Sequence, residues 1–313
     1  MSFTAEQQAA FERDGYIIVS GLFEDNQIEA ARQEIENRTY GKSFKEYLAD
    51  HEQGVEKIGD FVAGRSQFPT GNVGLDGLIE NEDYLDCFAG CLGTEEMSYC
   101  NAHLFVRSGP DDTRHAPEPW QGYHFDDNTC SFLPPHPDVQ KYAYINSWVM
   151  MHDIEEDDAP MHVIPGSHRQ LSDLLPRLVK SGDAIHGAFR DIREIPEFST
   201  PISVLAKAGD ALFYSSYLVH AAIPFANKRK QRAVWGFSLG HAENNAFTRL
   251  NHLYQMNERE YSIPFWTKTS PRVRSLFGWP PPGDPYYTPE TLELLAAWFP
   301  EMDLEPYHTS TSL

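Results

Sequence analysis

Basic residues are scarce in this 313-residue chain: 25 lysines and arginines stand against 46 aspartates and glutamates, a formal net charge of −21. Phosphate backbones and anionic lipid surfaces are held by basic stripes, so nucleic acid and membrane surfaces are not expected partners, although a local basic pocket for a small anion is still allowed. Cysteine is also rare. Cys87, Cys91, Cys100 and Cys130 form no CxxC pair at zinc-site spacing, which argues against a zinc ribbon, and buried free thiols in a reducing compartment are expected. No apolar run approaches the length of a membrane span. The opening "MSFTAEQQAAFERDGY" has no apolar signal region, and the ending "TSTSL" lacks the lysine of the S-K-L address. A soluble, cytoplasmic protein is expected. Internal repeats and linkers are missing too, so residues 1–313 are read as a single domain.

What the chain does have is apolar content: 41% hydrophobic and 13% aromatic residues, enough for a substantial core. "TAEQQAAFERDG" carries Gln7 three residues after Thr4, a capping-box pattern, and reads as a helix stopped by Gly15. "YIIVSGLF" reads as a strand. "EDNQIEAARQEIENRTY" reads as a helix with Ile28, Ala31 and Ile35 at helical spacing, and "NEDYLDCFAGCLG" as another. Residues 40–80 give no clear pattern. From about residue 97 short strands alternate with turn signals: "MSYCNAHLFVRSG", "GYHFDD", "KYAYINSWVMMHDI", "MHVIPGSH", "ISVLAKAGDALFYSSYLVHAAIPF" and "RAVWGFSLGH". In the third, Tyr142, Tyr144, Asn146 and Trp148 are expected on one face. Residues 187–203 read as an inserted loop, and "TPETLELLAAWF" as a helix in a proline-rich tail. The expected fold is mainly β with flanking helices, a double-stranded β-helix (jelly roll, cupin-like): a helical flank over 1–96, the jelly-roll core over 97–240 and an extension over 241–313.

The chemistry is concentrated in "WQGYHFDDNT". In an extended strand residues two apart share a side, so His124 and Asp126 can offer a nitrogen and a carboxylate oxygen to one point. H-x-D is short and recurs by chance; His136-Pro137-Asp138 is such a decoy, set in "LPPHPD" where prolines break a strand. About a hundred residues on, His220 closes the apolar run "GDALFYSSYLVHAA", and Arg232 opens "RAVWGFSL" beyond a charged turn. Taken singly, His220 reads as a satisfied core histidine and Arg232 as a solvated turn residue. Together, two histidines, a carboxylate and an arginine in strand contexts are the parts of a 2-His-1-carboxylate iron site with an anionic cosubstrate.

These segments resemble the phytanoyl-CoA dioxygenase-like family of Fe(II)/2-oxoglutarate oxygenases. "EQQAAFERDGYIIVSGLF" is similar to the family's start and "WQGYHFD" to its first metal motif. "DAPMHVIPGSH" resembles its strand-and-turn signature, and "GDALFYSSYLVHAA" the strand bearing its distal histidine. The resemblance runs from about residue 4 to 240. It implies that His124, Asp126 and His220 hold iron, that Arg232 pairs with the far carboxylate of 2-oxoglutarate, and that Gln121 and Asn146 contact the cosubstrate. It also implies that O2 takes an open iron position and that succinate and CO2 are released as a small-molecule substrate is oxidised, most simply hydroxylated. The retained Asp126 argues against a halogenase. Two departures, Ala159 for a frequent glycine and Ala221-Ala222 for a Gly-Ser pair, touch no expected ligand. Tyr144 and Trp148, with Tyr123 and Phe125 nearby, are expected to face a small apolar or cationic substrate. A CoA thioester would want a basic groove, and the one basic cluster, Lys228 to Arg232, is needed elsewhere.

Two other functions fit parts of the sequence. "GFSLG" (Gly236 to Gly240) matches the G-x-S-x-G nucleophile elbow of α/β-hydrolase serine esterases, with Ser238 as nucleophile and His252 or His308 as base. Upstream, however, the strands run consecutively rather than alternating with helices. The other is a non-catalytic metal- or ligand-binding jelly roll.

Overall fold

The computed structural model describes residues 3–54, 63–66, 68–111, 122–126, 135–185, 187–244 and 259–308. Helix α1 (Ala5–Asp14) starts at the reciprocal Thr4–Gln7 capping box and stops at Gly15, whose φ of 81° closes a left-handed cap. Strand β1 (Tyr16–Val19), α2 (Asp25–Tyr40), α3 (Phe44–Glu52), β2 (Ala63–Ser66), α4 (Val73–Asp76) and α5 (Glu82–Leu92) follow. Next come β3 (Met97–Ser108), α6 (Val139–Tyr142), β4 (Ile145–Met150), β5 (Met161–Val163) and α7 (Leu171–Ser181). The chain continues through β6 (Ala184–Ile185), β7 (Ala188–Phe189), β8 (Ile202–Val204), β9 (Ala211–Ser215), β10 (His220–Ala222) and β11 (Gln231–His241). Helices α8 (Arg259–Lys268), α9 (Pro271–Leu276) and α10 (Pro289–Trp298) complete it. Pro271 and Pro289 sit in the first turns of their helices, where a missing N–H costs nothing.

The strands form an antiparallel sheet ordered β1-β9-β4-β11-β3-β2 and a smaller sheet ordered β10-β5-β8, with β6-β7 as a short hairpin. Alternation along β11 sorts its side chains into two layers. Ala233, Trp235, Phe237 and Leu239 face outward and share a core with Ile28 and Ile35 of α2 and Leu85 and Phe88 of α5. Val234 faces inward with Trp148, Met150, Leu212 and Tyr214, against Met161, Val163 and Val204 of the small sheet. The reverse of the small sheet is covered by Leu171, Leu175 and Leu178 of α7. Two sheets closed face to face between helical layers make a jelly roll.

The C-terminal segment joins this core. The Phe68 ring lies 4.9 Å from both Phe237 and Phe265, centre to centre, and 5.9 Å from Phe277. Arg272 reaches back to Asp86 at 2.8 Å and Glu95 at 3.1 Å.

The structure corrects several expected elements. Residues Val139–Tyr142 are a helical turn capped by Asp138, so Tyr142 is not on the strand with Asn146 and Trp148. Residues 187–203 are not a mere insertion: they hold β7 and enter β8, an edge of the small sheet. Of "GYHFDD", the described residues 122–126 form no strand, and His124 makes single bridges to His220 and Ala188.

Candidate metal centre

The backbone builds the site before any side chain acts. His124 and His220 exchange both main-chain hydrogen bonds, at 2.9 and 2.8 Å, and Asp126 N donates to Ser216 O at 2.8 Å. This pairing carries a loop histidine to the first residue of β10, and the two imidazoles stand 4.4 Å apart, centre to centre. His124 Nε2 lies 3.8 Å from Asp126 Oδ1, and His220 Nε2 lies 3.6 Å from Asp126 Oδ2. One ligand atom from each of the three residues lies within 4.8 Å of the others, the one such group among the described residues.

The imidazoles are held in one tautomer. His124 Nδ1 lies 3.0 Å from Gly122 O and His220 Nδ1 lies 2.9 Å from Leu218 O. A carbonyl only accepts, so both Nδ1 atoms carry the proton and both Nε2 lone pairs face the carboxylate side. Burial lowers the basicity of His220, which keeps that lone pair available. Asp126 is also anchored. Its Oδ2 accepts from Asn146 Nδ2 at 3.0 Å and from Tyr214 OH at 3.2 Å, and its main-chain oxygen accepts from Tyr144 OH. Burial and the neighbouring carboxylate push the Tyr214 phenol well above its ordinary range, so it remains a donor. His124 is 41% exposed and His220 only 7%, so the cluster opens on the His124 side.

Arg232 sits at the start of β11, 2% exposed, with its guanidinium 5.3 Å over the Trp148 ring. It donates from Nη1 to Ala159 O. Ala159 therefore does touch an expected site residue, and its φ of 54° explains why a glycine suits that position.

Other expected residues fall elsewhere. Tyr123 and Phe125 alternate away from His124 and Asp126 into the cluster beneath α7, so neither faces the metal cluster. The Tyr144 hydroxyl serves the Asp126 carbonyl, and the Trp148 ring lies against the Arg232 guanidinium. Asn146 turns its amide to Asp126. Gln121 lies outside the described residues. In the decoy, Asp138 N donates to His136 Nδ1 at 3.0 Å within a local turn, and no third ligand joins them among the described residues. Ser238 is fully buried in mid-strand, without the exposed strand-to-helix turn of a nucleophile elbow, which removes the esterase reading. Tyr214 was not expected. The signal lay in "ALFYS", where alternation puts Tyr214 inward beside Leu212.

A jelly roll carrying a 2-His-1-carboxylate cluster is the architecture of the non-haem iron oxygenases. The chain belongs within that class to the phytanoyl-CoA dioxygenase family, whose description, "Phytanoyl-CoA dioxygenase (PhyH)", matches residues 11–233. It is 22% identical to the peroxisomal phytanoyl-CoA dioxygenase of Homo sapiens over 240 residues, which are 70% of this chain and 63% of that one. It is 21% identical over 240 residues to a probable phytanoyl-CoA dioxygenase of Caenorhabditis elegans, 70% of each chain. Among solved structures, iron-bound HygX from Streptomyces hygroscopicus superposes with a TM-score of 0.52 at 15% identity, covering 78% of this chain and 88% of that one. EctD from S. alaskensis in its apoform gives 0.51 at 17% identity, covering 78% and 79%. These two show the shared fold.

Proposed function

We propose that this protein is an Fe(II)/2-oxoglutarate-dependent dioxygenase that hydroxylates a small-molecule metabolite. The observation that carries this reading is the tautomer-fixed His124–Asp126–His220 cluster beside a buried arginine. Two neutral imidazoles and one carboxylate suit Fe(II) and leave room for exogenous ligands. When bound, Fe(II) with 2-oxoglutarate and O2 supplies the oxidising power, and succinate and CO2 leave as by-products. The protein's own part is positional. His124 and His220 present Nε2, Asn146 and Tyr214 hold Asp126 Oδ2, and Arg232 offers a desolvated cation to the far carboxylate of the cosubstrate. The same fold in EctD from S. alaskensis holds 2-oxoglutarate and 5-hydroxyectoine.

A metabolite is favoured over an acyl-CoA by the state of the basic cluster. Lys230 is bridged to Glu155 and Asp158 at 2.8 Å each, Arg229 pairs with Glu52, and Arg232 points inward. That leaves this cluster poorly suited to the phosphates of CoA.

The test is anaerobic incubation with Fe(II), 2-oxoglutarate and a metabolite extract, then admission of air and mass spectrometry. The expected result is succinate together with a metabolite one oxygen atom heavier. His124→Ala should abolish succinate formation and His136→Ala should leave it near normal. Undiminished succinate from His124→Ala would overturn the assignment.

A further inference from the structure

We infer that a hydrogen-bonded chain, His103–Asn101–Ser238–Asn146, positions the Asp126 carboxylate, which makes Ser238 a positioning residue. This rests on the reading of Asp126 as a metal ligand. All four residues are buried, at 6%, 5%, 0% and 4% exposure.

The direction of each bond follows from proton counting. A carboxylate only accepts, so the Asn146 atom 3.0 Å from Asp126 Oδ2 is the amide nitrogen. Asn146 then turns its oxygen to Ser238, whose hydroxyl has one proton and gives it there. Ser238 Oγ has only lone pairs left for Asn101, 2.9 Å away. We assign the Asn101 atom facing it as the amide nitrogen, because the neutral His103 ring gives its one proton from Nε2 to the Ser147 carbonyl and leaves Nδ1 able only to accept from that same atom. That same Asn101 atom lies 3.3 Å from His103 Nδ1, and an amide nitrogen has a proton for each neighbour. His103 Nδ1 therefore accepts. Its own proton is on Nε2, which donates to Ser147 O at 2.9 Å. Along this path every donor has one acceptor, and a buried network satisfied in this way is rigid.

The strand geometry makes room for the chain. Pairing of β11 with β4 passes from Trp235–Val149 to Ser238–Asn146 and skips the two residues between. A Cβ on Gly236 would lie 1.7 Å from Ser147 O and 3.1 Å from His103 Nε2. The glycine and the serine of "GFSLG" thus serve the same device: one lets His103 reach the Ser147 carbonyl, and the other passes the order on to Asp126.

Two measurements test this. In nitrogen-15 NMR of the metal-free protein, His103 should show a protonated Nε2 and a bare Nδ1; the opposite tautomer would overturn the inferred direction. Anaerobic Fe(II) titration should then show Ser238→Ala and Asn146→Ala each weakening metal binding roughly 10- to 100-fold, the usual size for a group supporting a ligand. The double variant should lose little more than one single, because either cut releases the same carboxylate. Unchanged Fe(II) affinity in Ser238→Ala, or additive losses, would show a serine that only packs. Asp126→Ala separates the two readings: if it still binds Fe(II) normally, the metal assignment fails, and if it alone loses Fe(II), the chain fails. Should Ser238→Ala not fold, Asn146→Ala decides alone, and unchanged Fe(II) affinity in it overturns the inference.

Discussion

Arg232 is the strongest test of the site at the scale of a single residue. A guanidinium at 2% exposure, stacked on Trp148 and donating to the Ala159 carbonyl, is suited to one anionic partner. Removing one member of a desolvated charge pair costs about 2–5 kcal/mol, which is roughly a thirty- to several-thousand-fold loss of affinity. Arg232→Gln should weaken 2-oxoglutarate binding by that order, followed through the charge-transfer band of the anaerobic Fe(II) complex. Arg229→Gln should change it little, because Arg229 is an exposed turn residue paired with Glu52 and such pairs contribute about 0–1 kcal/mol. Equal losses in the two variants would remove Arg232 from the cosubstrate site. The residue beneath it carries strain: left-handed backbone costs a non-glycine residue about 1–2 kcal/mol, and Ala159 has a φ of 54°. Ala159→Gly relieves this strain but adds about 0.4–1 kcal/mol of unfolded-chain entropy. The urea midpoint should therefore hold or rise slightly; a clear fall would mean that the alanine methyl packs better than its backbone is strained.

The turn Pro165-Gly166-Ser167-His168 acts at the scale of elements, clamping α1 to the strand that delivers His220. Gly166 N donates to Asp14 O at 2.9 Å, and Ser167 Oγ accepts from Val219 N at 2.9 Å. His168 covers Gly15 so closely that a Cβ there would sit 2.4 Å from its Nδ1. Gly41, which ends α2 in the same left-handed conformation at φ 68°, has nothing within 4 Å of its Cβ position. Gly41→Ala should therefore cost only the backbone strain of about 1–2 kcal/mol, and Gly15→Ala distinctly more, since the histidine must also move. Urea unfolding of the two variants checks this; equal losses would mean that the His168 contact adds nothing. The comparison shows what the sequence can and cannot reveal. The Thr4–Gln7 cap and the Gly15 stop are local, so spacing alone exposes them. His124 and Asp126 are equally local, two residues apart, and their pattern suggested a metal. The partner of Gly15 lies some 150 residues on, and the partners of Ser238 sit on two other strands, so only the fold reveals them. Alternation places Asn146 and Trp148 on the inward face, and the same rule turns Tyr123 and Phe125 away from the cluster.

The whole molecule is held by long-range burial, and two tests follow. Phe68 joins the segment after β2 to Phe237 of the large sheet and to Phe265 and Phe277 of the C-terminal helices. Phe68→Ala should cost about 3–5 kcal/mol and make residues 259–308 the first to be cut in limited proteolysis. Uniform cutting across the chain would show that this ring is not what docks the segment. The second test is acid. Burial lowers His103 to about 4, His168 to about 4 and His152 to about 3, against roughly 6.5 in an unfolded chain. Between those limits the unfolded chain binds protons that the folded protein refuses. Stability from these groups is therefore whole above pH ~6.5 and is lost as the pH falls toward their folded values. Each such histidine removes about 1.4 kcal/mol per pH unit across the window, so the three together give a steep slope. The measurement is the urea midpoint of the chelator-treated protein from pH 7 to pH 4.5, which keeps bound metal out of the comparison. His152→Gln, which keeps a polar group beside Gln231, should lower the slope by one proton's worth. A midpoint that stays flat across this range would mean that these histidines are already charged in the folded protein.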